Sequence, residues 1–326
     1  MTVPRRRFLQ LASGAAALSA VPRLVRAQAW PARVVRLLVG FPPGGGADAA
    51  ARIVGNRLSE MWGQPVVIEN KGGAGGNIAM DAAAHASPDG YTILLAVTAP
   101  AVYRFLLGSL SYDPEADLAP VSLIGSYPHV LVVPNSSPFK SVRDYVAAAK
   151  ANPGKVTFAS PGAGSSPHLA GELFKQKAGI DITHVPYRGV AAGGMTDLLA
   201  GRVDAMFNTT GSLLAAVKAG QVRGLGVTSA QRFPLAPELP AIAETVPVYE
   251  VVSWYGLYAP AKTPASIVQK MNADVVAMLN EAAVKARFEP LGIAVAGSTP
   301  AALAARAQAD TELWGPVIKA ANIRGE

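Results

Sequence analysis

G-F-P-P-G-G-G-A-D-A-A-A-R, residues 40–52, sets two prolines beside three glycines, between an apolar run and an Ala-rich run. Upstream, Val34-Val35-Arg36-Leu37-Leu38-Val39 has the β-branched content and length of a buried strand. Downstream, Ile53, Val54, Leu58, Met61 and Trp62 recur at helical spacing, with Arg52, Arg57 and Glu60 off that face. The spacing predicts a helix over 47–62. The stretch therefore reads strand, loop, helix. Glycines at 44–46 let the backbone take φ > 0 and come close to another molecule. Pro42 and Pro43 stiffen the approach. The following helix start offers unpaired N–H groups and a partial positive charge. Together these make a rigid cradle for an anion. The loop carries no Lys or Arg, so the N–H groups must do most of the holding.

The same grammar continues along the chain. Val66–Glu69 is a second strand, Lys71–Asn77 a second glycine loop, Ile78–Ala86 a short helix and Tyr91–Val97 a third strand. Ser87-Pro88-Asp89-Gly90 is a turn. The pattern then restarts, with a strand over 131–133, a helix over 141–151 and a strand over 156–159. Ser160-Pro161-Gly162-Ala163-Gly164-Ser165-Ser166 follows, then a helix over 167–177. Strand segments at 183–187, 205–207 and 225–228 and a helix at 195–200 complete this half. The apolar stretch 254–259 leads into a helix over 267–280, and a helix over 301–320 closes the chain. Strands alternating with helices predict parallel sheets in two α/β lobes. Ligands of such sheets sit outside the carboxyl ends of strands. Ser160, Gly162, Gly164, Ser165 and Ser166 offer there what 44–46 offer in the first lobe, with hydroxyl donors added. A plainer reading of either loop alone is a turn whose glycines serve packing. Two loops in matching positions favour a ligand.

The 326-residue length suggests two domains, and a half-hydrophobic composition with 16% charged residues can bury a sizeable core. The absence of cysteine excludes disulfides, thiolate metal sites and a Cys nucleophile. Arg5-Arg6-Arg7-Phe8-Leu9, a short apolar stretch and Ala27-Gln28-Ala29 read as a twin-arginine export signal over residues 1–29. The plainer readings are a general secretory signal with a chance Arg pair, or an uncleaved anchor. This segment holds five arginines and no acid, so the formal +7 falls to about +2 without it. The high whole-chain pI is thus no argument for nucleic acid, and a soluble exported chain with no nucleic-acid partner is expected.

Nucleotide motifs fail on detail. The phosphate loop needs G-K-[ST], whereas Gly46 is followed by Ala47 and Asp48. The 72–77 loop has Ile78 where G-x-G-x-x-G needs its third glycine. There is no G-x-S-x-G and no H-E-x-x-H, and the four histidines (85, 129, 168, 184) are scattered. No cofactor and no metal are expected. Three residues keep two readings each. His168 donates to a ligand, or packs and caps within its helix. Asp204 orients a loop, or is a satisfied structural carboxylate. Arg188, in Tyr187-Arg188-Gly189, supplies a cation to a carboxylate, or is an exposed arginine. A hydrolase built on Ser165 or Ser166 with His168 lacks a nearby orienting acid.

Eight blocks, in order, carry a family resemblance: F-P-P-G-G-G-A-D (41–48), V-I-E-N-K-G-G-A-G-G-N-I-A (67–79), P-D-G-Y-T (88–92), A-S-P-G-A-G-S-S-P-H-L (159–169), V-P-Y-R-G (185–189), G-R-V-D-A-M-F (201–207), L-G-V-T-S-A-Q-R (225–232) and S-W-Y-G-L-Y-A-P-A-K-T-P (253–264). The chain from about Pro31 to about Ile323 resembles the Bug family of periplasmic solute-binding receptors of tripartite tricarboxylate-type transporters. The resemblance implies a non-enzymatic α/β receptor of the two-lobed type II periplasmic-binding-protein fold, a venus-flytrap with two crossover hinges. It implies lobe 1 from 30–133 plus 257–326, lobe 2 from 134–256, and hinges near Val133-Pro134 and Gly256–Tyr258. A small organic acid is expected between the lobes, held by Phe41, Pro43, Gly44 and Gly45 and by Ser160, Gly162, Gly164, Ser165 and Ser166. Asn77, Thr98, Ala99, His168, Tyr187, Arg188, Asp204 and Asn208 are expected around it. The implied partner is a membrane permease, or a signalling protein that reads the closed form, and the implied state is a periplasmic monomer. Two departures lie in the second lobe. Relatives commonly carry Asp where this chain has Asn208, and a proline where this chain reads V-A-A-G-G-M (190–195). Both bear on the far end of the pocket and hence on which acid is bound.

Overall fold

The computed structural model describes residues 30–187 and 193–324. The chain divides into residues 1–32, of which only 30–32 are described, and a body that begins at Arg33. The expected export signal and Arg188 lie outside the described residues.

In the body, β1 (Val35–Val39), α1 (Gly46–Trp62), β2 (Val66–Asn70), α2 (Asn77–Ala84) and β3 (Thr92–Ala96) form the first set. Val35, Leu37, Leu38 and Val39 are all but inaccessible. β1 is covered on both faces, which is why it reads as a near-continuous apolar run rather than an alternating one. It lies parallel between β2 and β3. Gly55 lets α1 press onto β2, since a Cβ there would lie 2.8 Å from the Ile68 side chain.

α3 (Tyr103–Leu107) leads into β4 (Leu118–Pro134), a strand of 17 residues. Only its last turn-free run, 131–133, is legible as a strand in sequence. Pro120, Gly125 and Pro128 disguise the rest, and shifts of register at 120/122 and 123/125 accommodate two of them. The second set is α4 (Val142–Ala151), β5 (Thr157–Ser160), α5 (Ser166–Ala178), β6 (Thr183–Pro186), α6 (Met195–Leu199), β7 (Ala205–Thr209), α7 (Thr210–Lys218) and β8 (Val222–Val227). The chain closes with β9 (Val252–Pro260), α8 (Ala265–Asn280), α9 (Ala282–Phe288), β10 (Ala294–Val295) and α10 (Pro300–Ala320).

The strands join in the order β2-β1-β3-β9-β4-β7-β5-β6, with β8 and β10 also paired to β4. The expectation of parallel sheets holds at the two ends, β2-β1-β3 and β7-β5-β6. It fails in the middle, where β3-β9, β9-β4 and β4-β7 are all antiparallel. The sheet is mixed because β4 and β9 carry the chain between the two sets instead of returning through a helix. β4 pairs with β9 as far as Pro128 and with β7 from His129 on. Trp254 Nε1 donates to Asp310 Oδ2 at 2.7 Å, which ties β9 to α10.

α5 presses onto β5 through Gly171, where a Cβ would lie 2.2 Å from the Phe158 ring. Alanine usually improves a helix by about 1 kcal/mol over glycine. Here overpacking against a buried ring should outweigh that gain by costing about 1–3 kcal/mol. Gly171→Ala is expected to lower the unfolding midpoint in urea, and a raised or unchanged midpoint would contradict this packing.

Candidate ligand-binding site

The first loop is shaped by one carboxylate. Asp48, third residue of α1, is buried. Its Oδ2 accepts the Gly44 N–H at 3.0 Å and the Arg52 Nε–H at 2.8 Å, and its Oδ1 accepts from Asn70 Nδ2 at 3.0 Å. Asn70 Nδ2 also donates to the Phe41 carbonyl at 2.9 Å, so β2 holds both ends of the loop. The Arg52 guanidinium, then the Gly44 and Asn70 bonds, hold the Asp48 carboxyl below its usual range against the opposing effect of burial. Gly44 takes φ +84°, which only glycine adopts freely. Gly40 and Gly76 bring the two glycine loops into backbone contact, since a Cβ on Gly40 would lie 2.5 Å from the Gly76 α-carbon.

This leaves a definite set of donors. Gly45 caps α1 with no side-chain bond, and the Ala49 N–H makes the first helical bond, to the Gly45 carbonyl. The N–H groups of the first turn have no partner inside the helix. Gly45 and Gly46 are exposed and Ala47 is buried. Pro42 and Pro43 have no N–H to offer. Gly44, by contrast, is already committed, so its part is to shape the loop.

The second loop is more self-contained than its sequence suggests. The Gly162 N–H goes to Ser160 Oγ at 3.2 Å and the Gly164 N–H to His168 Nδ1 at 3.0 Å. Ser165 Oγ donates to the Gly162 carbonyl at 2.7 Å and accepts the His168 N–H as the α5 cap. Ser160, 2% exposed, shares a 2.7 Å bond with His184 Nε2. The His168 and His184 rings stack at 3.7 Å. His168 thus packs and caps the loop: its Nδ1 accepts from Gly164. Burial, then the neighbouring His168 and Lys175, push the His184 imidazole down to about 3, so it stays neutral. Ser166, the first residue of α5 and half-buried, keeps an N–H and a hydroxyl that the loop does not use.

Strand direction brings the two loops to one place. Ala96, the end of β3, is level with Gly256, which is level with Leu123 of β4. β3 and its parallel neighbour β1 run in the same sense as β4, so their carboxyl ends point up β4. β7 and its parallel neighbour β5 run the opposite way, and Thr209, the end of β7, is level with His129. The loops after β1, β3, β5 and β7 therefore converge on the stretch of β4 between Leu123 and His129. Six residues of strand span roughly 20 Å at about 3.3 Å each. That gap, less the depth of the loops, suits a small molecule.

Tyr127 of β4 and Tyr255 of β9 lie in this stretch, with ring centroids 5.0 Å apart. Their carrier segments differ: β4 hides its first half behind prolines, and 254–259 reads in sequence as undifferentiated apolar chain. The period-2 pattern Ser253, Tyr255, Leu257 against Trp254, Gly256, Tyr258 is the signal that assigns Tyr255 to the face away from Trp254.

The remaining expected residues divide. Thr98 is half-buried after β3, while Ala99 is fully buried in the core. The Asn77 side chain accepts from the Tyr112 hydroxyl at 2.8 Å and so braces the back of the second glycine loop. The Tyr187 hydroxyl donates to Asp197 at 2.7 Å, and its N–H bonds the Ser160 carbonyl. Asp204 is not brought to the loops. Its carboxylate accepts from the Thr157 N–H and hydroxyl, both at 2.8 Å, at the amino ends of β5 and β7. A carboxylate so placed fixes strand register and cannot orient a loop at the opposite strand ends. Asn208, 1% exposed near the carboxyl end of β7, accepts the Thr209 N–H at 2.8 Å, and its Nδ2 has no partner.

A two-set α/β body with helix N-termini converging on its crossover strands is an arrangement that can hold a small anion. Residues 50–323 match the family model described as tripartite tricarboxylate transporter family receptor. The chain belongs to that family. It is 35% identical to protein BugT of Bordetella pertussis over 298 residues, 90% of this chain and 91% of that one. Among solved structures it is similar to R. palustris Rpa4515 with adipate, at 37% identity and TM-score 0.82, covering 90% of this chain and 99% of that one. It is likewise similar to MatC from Rhodopseudomonas palustris with bound malate, at 30% identity and TM-score 0.76, covering 89% and 100%. These relatives are solute-binding receptors and not enzymes.

Asp48→Ala removes the acceptor that shapes the first loop and should cost about 1–3 kcal/mol at neutral pH, since the lost bonds are charge-assisted. A carboxyl held below its unfolded value stabilises above that value and loses the effect as pH falls through the folded one. The gap between parent and variant in urea unfolding is therefore expected at pH 7 and should shrink below about pH 4. A gap of equal size at both pH values would contradict the role assigned to the charge.

Proposed function

We propose that this chain is a periplasmic receptor that captures a small carboxylate between two lobes and delivers it to a membrane permease; the expected lobe bounds, 30–133 with 257–326 and 134–256, move to 128/129 on β4 and to 251/252 before β9, where the chain changes strand set. Export by the twin-arginine route, through Arg5-Arg6-Arg7-Phe8-Leu9, and action as a monomer belong to the same proposal. The observation that carries it is the convergence of uncommitted main-chain donors, Gly45 and Gly46 from one side and Ser166 from the other, on the β4 and β9 crossing. A carboxylate has two oxygens to share between such groups, and the helix N-termini add favourable potential. Micromolar affinity requires only about 8 kcal/mol net. Several charge-assisted bonds at about 1.5–3 kcal/mol each, less ordering costs, are of that size. Closure of the lobes about the crossover strands would exclude water and strengthen each bond. The change of β4 partner between Pro128 and His129 marks where the chain passes between the two strand sets.

The far end of the acid is assigned to Asn208. Its free Nδ2 is a buried donor that gains by meeting an acceptor. An amide supplies no negative charge to hold an ammonium group. The bound acid therefore ends in a second carboxylate, a carbonyl or a hydroxyl, in keeping with the adipate and malate held by the two relatives.

A thermal-shift panel of mono-, di- and tricarboxylates and amino acids tests this. A dicarboxylate at ~100 times its Kd should stabilise the protein by about 2.7 kcal/mol, seen as a raised Tm. Gly45→Val should weaken the shift without unfolding the protein. Asn208→Asp should reduce it for dicarboxylates and favour ammonium-bearing acids. A panel in which only cationic amines raise Tm, or a Gly45→Val variant that binds like the parent, would overturn the proposal.

A further inference from the structure

Tyr255 stands where the first loop meets the crossover. A Cβ on Gly46 would lie 3.2 Å from the Tyr255 hydroxyl oxygen, so that oxygen rests against the first residue of α1, whose N–H is uncommitted. Tyr255 is 5% exposed and its ring leans on Tyr127 at 5.0 Å. Tyr127 meets the edge of the His129 ring at 6.0 Å, and His129 Nε2 is 3.0 Å from Ser253 Oγ. An uncharged polar row thus runs across β4 and β9 beneath the converging loops.

We propose that the Tyr255 hydroxyl is a direct donor to the bound carboxylate, completing the cradle begun by the Gly45 and Gly46 N–H groups, and that Tyr127 positions it. The inference rests on the reading of the site as a carboxylate receptor. Three observations carry it. The hydroxyl sits beside the helix N-terminus and not in the apolar core. Its ring is clamped by packing, so the donor is in place before a ligand arrives. The strand that bears it begins where the chain returns from the second set, so a ligand bonded to it is tied to a segment next to the crossover. Burial pushes the Tyr255 hydroxyl up to about 12 and Tyr127 well above its ordinary value, so both stay protonated at every physiological pH. His129 adds no charge, since burial holds its imidazole neutral, down to about 3.

The same contact explains a constraint at Gly46. Any side chain there would press on the hydroxyl and displace it from the N–H beside it. Tyr258, on the opposite face of β9, is also buried and its hydroxyl has no partner, which makes it a control of matched chemistry.

Parent and variants are titrated calorimetrically with adipate, malate and citrate. Tyr255→Phe keeps the ring and removes the donor. It is expected to weaken the best of the three acids about tenfold or more, the size of one hydrogen bond to a charged group, with the unliganded Tm little changed. Tyr127→Phe should lose less, and Tyr258→Phe should bind like the parent. Acid binding should perturb the near-UV tyrosine spectrum of the parent and not that of Tyr255→Phe. Gly46→Ala should cost affinity in the parent and less in the Tyr255→Phe background, because the methyl group then has no hydroxyl to displace. Should Tyr255→Phe fold poorly, the Tyr127→Phe titration and the Gly46→Ala effect on the tyrosine spectrum decide the matter. Affinity within about twofold of the parent for Tyr255→Phe, or an unchanged spectrum on binding, overturns the role of Tyr255 and leaves the receptor reading intact. A parent that binds none of the three acids overturns both.

Discussion

The 3.0 Å bond from the Gly44 N–H to the Asp48 carboxylate decides how the first loop is used. A main-chain donor can hold an anion only if its own chain has not taken it first. By absorbing Gly44, Asp48 fixes the loop and leaves Gly45 and Gly46 as the open donors. It also brings a negative charge into the first turn, which would work against an anion nearby. Arg52 neutralises that charge at 2.8 Å, and Asn70 shares the remaining oxygen. The carboxylate is thus turned inward and its charge is spent on the scaffold. The second loop follows the same rule with other residues, since His168 absorbs Gly164 and Ser160 absorbs Gly162. In both cases a side chain inside the following helix or at the strand end selects which amide remains.

Shape follows from the crossover. Parallel strands put all their loops at one edge of a sheet, and two separate parallel sheets would have no reason to face their loops together. β4 supplies the reason. It serves one set with its first half and the other with its second, and the two sets attach in opposite senses. Loops that would otherwise be far apart then point at the same half-dozen residues. Tyr127, His129, Ser253 and Tyr255 occupy that segment, and none of them carries a charge at neutral pH by the physics of their burial. Among the described residues, such a site draws an acid through dipoles and main-chain and hydroxyl donors.

Much of this was legible in the sequence, and the parts that were not have physical causes. β1, α1, β2 and the 160–166 turn with its helix read cleanly, because apolar period and glycine or serine punctuation agree there. The family blocks gave the class of protein. β4 was legible only over 131–133, because prolines and a glycine that normally end strands are absorbed by irregular register here. α7, 210–218, begins directly from the end of β7 with no loop to announce it. Within the site, loop position was readable but donor commitment was not. Gly44 and Gly45 are alike in sequence, and only the fold shows that one N–H is taken. Of the two readings of Asp204 the structural carboxylate holds, because a position five residues before the end of β7 lies at the amino end of that strand. Tyr255 escaped because its neighbours Trp254 and Tyr258 are equally aromatic, and only the pleat separates the face that meets Gly46 from the face that meets α10.

In the proposed mode of binding, particular amides, and not the glycine loops as wholes, grip the acid. Amide proton shifts during a titration with adipate measure this directly. Large saturable downfield shifts are expected at Gly45, Gly46 and Ser166, with Gly44 and Gly164 nearly still because Asp48 and His168 already hold them. Shifts centred on Gly44 and Gly164, or no loop amide responding while adipate binds, would contradict it.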